Sequence, residues 1–186
     1  MPCLLKNRTV YLAGPIEVDN DPGSWRDRLT DGLAILGLRV WNPLVKPEWC
    51  TQITGDDQRN DLIKFKDGIK LFGGRNGALD RNREIREVCL RLVSACDFII
   101  CKIGGKTVGT FEELAHAAMM KKPVLFIGEV DSCWRVAQFY NNDPIFFANE
   151  MVLLSHLAAI DEGLQEVDNL SWIFLNNKWI DHASKP

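Results

Sequence analysis

Two short runs constrain this chain most. Asp97–Cys101 (DFIIC) and Pro123–Ile127 (PVLFI) are almost uninterrupted apolar segments of strand length, each flanked by stretches with helical periodicity. A strand with one wet face alternates apolar and polar residues. A strand that is apolar throughout needs cover on both faces, the condition of a parallel strand between two layers of helices. The pattern recurs elsewhere. Thr9–Ala13 reads as a strand meeting a Gly14-Pro15 turn, Leu38–Trp41 as a second strand closed by Asn42-Pro43, and Pro144–Ala148 as a short further one. Between them, Trp25, Leu29, Leu33 and Leu36 recur at helical spacing up to Gly37, and Ile85, Val88, Cys89, Leu92 and Cys96 form a second helical stripe. Helices are also predicted from about Phe111 to Met120, over Trp134–Tyr140 and over Glu150–Ile160. This alternation predicts one α/β domain over residues 1–186, a parallel sheet with helices on both faces. Residues 44–79 break the pattern. Gly55, Gly68 and Gly73-Gly74 interrupt a charged stretch, which reads as an insertion with one short helix around Asp61–Lys66, of a length that in compact domains is often a lid.

Composition narrows the partners. A chain of 186 residues suits one domain, and a net charge of −3 argues against a broad face for a nucleic acid polymer and for a small-molecule site. The six cysteines (Cys3, Cys50, Cys89, Cys96, Cys101, Cys133) include no CxxC pair and no histidine at ligand spacing, so neither a zinc site nor a disulfide framework is expected. Cys89, Cys96 and Cys101 sit in apolar segments and read as reduced thiols of a cytoplasmic protein. No signal-peptide pattern or membrane-length apolar run is present, so no membrane partner is expected.

Ligands of open α/β sheets bind beyond the carboxyl ends of the strands. Three segments fall there: Gly14-Pro15-Ile16, Asn42-Pro43 and Gly104–Glu113. The last, GGKTVGTFEE, is a glycine-rich turn entering a helix whose expected inward stripe is Phe111, Leu114, Ala115 and Ala118. Glu112 and Glu113 are expected in its first turn, where the helix dipole favours a negative charge; an ionised carboxylate there suits a nucleophile or a stabiliser of positive charge. The same residues also read as a capping box, with Thr110 as the cap and Glu113 reaching back to the backbone. The local pattern leaves both readings open.

Two segments, VYLAGPIE…SWRDRL…LGLRVWNP over residues 10–43 and ACDFIICKIGGKTVGTFEELAHAAMMKKPVLFI over 95–127, resemble the nucleoside 2-deoxyribosyltransferase family and its nucleoside and nucleotide N-glycosidase relatives. The resemblance implies a flavodoxin/Rossmann-like fold, commonly a homo-oligomer, and cleavage of the N-glycosidic bond of a nucleoside by a glutamate that forms a glycosyl ester. An acceptor base, or water, then collects the sugar. It places that glutamate on Glu113 and a carboxylate-holding aromatic residue on Tyr11. Gly14, Pro15, Ile16, Asn42, Gly104, Thr107, Gly109 and Thr110 become candidates to line the substrate, with Trp25 and Trp49 as candidates to stack on a base. Trp25 also heads an apolar helical stripe, which is a core role. Such chemistry needs no metal and no organic cofactor. Breaking the bond builds oxocarbenium character, which an adjacent carboxylate stabilises, while the leaving base needs a proton or a donor. Here the chain departs from the family. The acidic residue expected eight positions before Asp97 is Cys89, and Glu84, Glu87 or Asp80 is left to substitute. A second acidic position is Thr107, as in the hydrolase relatives.

Substrate charge and class stay open. The acidic run Glu17, Asp19 and Asp21 beside Pro15, which lacks an N–H, favours a nucleoside or base over a 5′-monophosphate, with Lys106 the counterweight. A phosphoribohydrolase of the lysine-decarboxylase-like group has a signature similar to IGGKTVGTFEE, although Ile103 stands where its proline would be. A non-catalytic nucleotide-binding sensor, suggested by Cys89, is the reading from another class. His116, one turn after Glu113, reads first as a surface or subunit-contact residue. Asn141–Asp143 is a polar loop or a contribution to a neighbouring subunit's pocket.

Overall fold

A computed structural model describes residues 3–16, 21, 23–45, 77–104, 108–129 and 145–175, the side chains at 77–82 and 84 excepted. Five parallel strands form one sheet: β1 (Thr9–Ala13), β2 (Arg39–Trp41), β3 (Phe98–Lys102), β4 (Val124–Ile127) and β5 (Ile145–Phe147), in the order β2-β1-β3-β4-β5. Among the described residues four helices accompany them: α1 (Ser24–Ile35), α2 (Gly77–Ala95), α3 (Val108–Met119) and α4 (Glu150–Asp161), with a 3-10 turn at Ile173–Leu175. This is the flavodoxin-like strand order, in which the chain reverses its direction of winding between β1 and β3 and leaves a crevice there.

Strand alternation sorts the core into two layers. Val10, Leu12, Phe98, Ile100, Leu125 and Ile127 point to the side where Trp25, Leu29 and Leu33 of α1 and Leu153, Leu157 and Ile160 of α4 pack. Tyr11, Ala13, Ile99, Cys101, Val124 and Phe126 point to the other, against Ile85, Cys89, Leu92 and Val93 of α2 and Leu114 and Ala117 of α3. Both faces are therefore covered, as the apolar strands require. Residues in β1 and β3 are wholly buried apart from Thr9 and Lys102.

The expected elements lie within a residue or two of those found, with two larger shifts. Helix α2 begins at Gly77 rather than near Arg83, so the end of the stretch assigned to an insertion is helical. Helix α3 begins at Val108, three residues before the expected Phe111. The helices expected at Asp61–Lys66 and Trp134–Tyr140 lie outside the described residues. At the end of α1, Gly37 has φ +72° and its N–H reaches Ala34 O, while Leu38 N reaches Leu33 O, the paired bonds of a glycine-closed helix end.

Candidate functional site

The start of α3 decides where its carboxylates point. Thr110, Leu114 and Ala117 are its buried residues, with Phe111 half-buried, so the inward stripe is turned by about one residue from the expected one. Positions 110, 113, 114 and 117 are spaced i, i+3, i+4, i+7, which puts Glu113 on the sheet-facing side of the helix rather than among its solvated residues. Thr110 is the third residue of the helix and only 4% exposed, so the capping-box reading is corrected: a residue inside the helix cannot be its N-cap. Glu112 and Glu113 accordingly sit in the second turn, past the reach of the strongest dipole effect.

Glu113 meets Tyr11. The Tyr11 hydroxyl donates to Glu113 Oε1 at 2.6 Å, a length typical of a hydroxyl–carboxylate bond. Tyr11 is fully buried in the middle of β1, paired with Trp41 on one side and Ile99 on the other. Burial first, then the adjacent Glu113 carboxylate and the neighbouring Cys89, push its phenol well above the usual value. It therefore stays a protonated donor at neutral pH. Cys89, 7% exposed, shares this face from α2, so the position where the resemblance expects an acid holds a buried thiol against the Tyr11–Glu113 pair. Cys101 at the end of β3 lies between opposite charges: burial and Glu113 raise its thiol well above the ordinary range, and Arg26 opposes them.

The β1–β3 crevice is built tightly. Gly14 has φ +153°, and a Cβ there would stand 3.0 Å from Trp25 Cζ2; one on Gly104 would stand 2.7 Å from Pro15 Cγ. These glycines let the two turns close on each other beside the strand ends. Pro15 is buried and Ile16 half-buried. Asn42, 9% exposed, uses its Oδ1 to accept from Leu44 N at 3.0 Å and so closes β2. Gly109 is exposed in the first turn of α3 with open space around it. Trp49 and Thr107 lie outside the described residues, as do Lys106 and the acidic Glu17 and Asp19.

Of three further candidates, Trp25 takes the core role that its apolar stripe indicates, while Glu87 and His116 sit elsewhere than the argument from sequence implied. Trp25 is wholly buried, with the Arg26 guanidinium 4.4 Å and the Lys102 ammonium 5.7 Å from its ring, so its indole belongs to the core beneath Gly14. Glu87 points outward on α2, its Oε1 2.9 Å from Arg86 Nη1. His116 Nε2 lies 2.8 Å from Ser94 Oγ, bridging α3 to α2 within the chain. Two residues were missed. Arg26, one of the charged residues between the apolar positions of α1, is fully buried, and its Nη2 donates to Gly14 O at 3.0 Å, holding the turn that follows β1. Its only signal was its place beside Trp25 at the margin of the apolar stripe. Trp41 is half-buried on the Tyr11 face, which its alternation with Val40 along β2 indicates.

Among the described residues, no group of three or more histidine, cysteine, aspartate or glutamate side chains is arranged to hold a metal, and no helix is long and apolar enough to cross a membrane. Cys3, Cys89, Cys96 and Cys101 are thiols that form no disulfide.

No family model matches the chain, and no curated protein matches it. Among solved structures, the molybdenum cofactor binding protein from the phototrophic bacterium Rippkaea orientalis is similar with a TM-score of 0.50 and 17% identity, covering 84% of this chain and 98% of that one. The Clostridium botulinum CMP N-glycosidase BcmB gives a TM-score of 0.47 and 17% identity over 82% and 99% of the two chains. At such identity the first likeness shows the fold alone, and the second is too distant to add to it. The class they leave defined is the one seen in the strand order: a single parallel-sheet α/β domain of the flavodoxin/Rossmann type.

Proposed function

We propose that this chain cleaves the N-glycosidic bond of a nucleoside, as a nucleoside 2-deoxyribosyltransferase or an N-glycosidase, with Glu113 as nucleophile. One observation carries the reading: a carboxylate on the inward side of the helix after β3, held at 2.6 Å by a buried tyrosine from β1, at the reversal point of the sheet. Tyr11 bonds one carboxylate oxygen and orients the group. Glu113 attacks C1′; the C1′–N bond breaks with its electron pair moving to the base, and a C1′–O ester forms. An acceptor base or water then attacks C1′, loses its proton, and returns the carboxylate. Trp41, half-buried on the same face, is the described tryptophan suited to cover the base, in place of the buried Trp25. Cys89 beside Tyr11 makes proton delivery to the leaving base the part of the site that differs from the resembled family. The reading includes a homo-oligomer of a cytoplasmic enzyme.

A second reading, in which the substrate carries a 5′-phosphate, rests on Lys102, the half-buried cation that ends β3 beside Gly14. One experiment addresses both. The protein is incubated with mixed deoxynucleosides, their 5′-monophosphates and one free base, and products are followed by chromatography. New nucleosides mean transfer, and free bases alone mean hydrolysis. Consumption of the phosphates in preference favours the second reading, and an unchanged mixture ends both in favour of a binding protein.

A further inference from the structure

We propose that Arg86 is a positioning residue for Glu113, acting through Glu112; the proposal rests on the reading of Glu113 as the reacting group. Helix α3 packs on the sheet through a narrow buried stripe of Thr110, Leu114 and Ala117, with a single large apolar side chain among them. Phe111, half-buried, packs beside them. Tyr11 anchors Glu113 from the sheet side. A second anchor comes from α2: Arg86 lays its guanidinium along the neighbouring carboxylate, with Nε 2.8 Å from both Glu112 Oε1 and Oε2, and Nη2 also on Oε1. Arg86 Nη1 is further engaged by Glu87 at 2.9 Å, which holds the guanidinium plane toward α3.

Adjacent helical residues point about 100° apart around the axis. One anchor on each, from two different elements, acts with the His116–Ser94 bond further along α3 to set the helix's rotation where Glu113 stands. The rotation matters because a glutamate carboxylate stands about 6 Å from its helix axis, so a turn of about 10° carries it about 1 Å. Reacting groups tolerate about half an ångström, and a displacement of about 1 Å can cost a hundredfold in rate. The pair is exposed and adds little to stability. Its effect falls on where Glu113 stands.

The test reads the Tyr11 hydroxyl proton by NMR together with turnover. The chain has two tyrosines, and a hydroxyl buried in a short bond to a carboxylate gives a downfield, slowly exchanging resonance. Arg86→Ala is expected to shift or broaden that resonance and lower kcat about tenfold with KM and Tm nearly unchanged. Arg86→Lys, a point charge without the fork, rescues in part, and the exchange Arg86→Glu with Glu112→Arg rescues more fully. Arg28→Ala, which breaks the exposed pair with Glu150 at 3.1 Å, leaves the resonance in place. An unmoved Tyr11 resonance in Arg86→Ala overturns the proposal, as does a shift accompanied by a large fall in Tm. If the resonance responds but the wild-type chain turns over no nucleoside, the positioning stands and only the reaction assigned to Glu113 falls.

Discussion

Glu113 and Tyr11 divide the work of one hydrogen bond, and their substitutions separate chemistry from packing. Glu113→Gln keeps the side-chain shape and removes the proposed nucleophile, so base release is expected to fall by about a thousandfold or more with Tm nearly unchanged, checked by chromatography and thermal melting. Tyr11→Phe leaves an aromatic ring in β1 but strips the carboxylate of its donor. A loss of about 2 kcal/mol is expected from removing a charged, buried hydrogen bond, measured by urea unfolding, together with a fall in kcat. Gly14→Ala tests the crevice: at φ +153° with Trp25 at 3.0 Å, the added methyl should cost about 1–3 kcal/mol and weaken ligand binding by opening the turn. Stability of Gly14→Ala equal to wild type would sink that account.

The strands and helices were legible because their burial is written in period. DFIIC and PVLFI are strands with two covered faces, and the i, i+4 spacing of Trp25, Leu29 and Leu33 is a helix with one. What periodicity does not carry is phase. In α3 a one-residue turn of the helix exchanges the stripe 111, 114, 115, 118 for 110, 114, 117 and brings Glu113 inward, and no local signal distinguishes the two, because alanine occupies positions on both faces. The residues at the carboxyl edge could be named from sequence, since glycines and the Asn-Pro step mark strand ends. Their partners could not. Arg26 is charged and is followed by charged Asp27 and Arg28, yet its reach to Gly14 O depends on α1 lying against the β1–β3 ends, a tertiary fact.

Across the whole molecule, titratable groups withdrawn from water shape the pH dependence of stability. Burial lowers the His156 imidazole below its ordinary value, so the unfolded chain binds that proton more readily, and stability is expected to fall as pH drops below about 6.5. Chemical unfolding at pH 7.5 and 5.5 measures this, and His156→Gln should flatten the difference. On the alkaline side, Cys96 is pushed up to about 12, chiefly by burial, so the folded chain retains a proton that the unfolded one loses from about pH 9 upward, and stability declines there in turn. A thiol reagent at pH 8 should label exposed Cys3 quickly and Cys96 and Cys101 only on unfolding. The pairing of Tyr11 with Glu113 has its own consequence at this scale, because the two partners stand 102 positions apart along the chain. Neither half-protein carries a working fragment of the centre, and an N-terminal truncation through β1 would leave a carboxylate without its clasp. Any activity that rests on the pair therefore requires the first strand docked beside the third, so its recovery during refolding would report closure of the middle of the sheet.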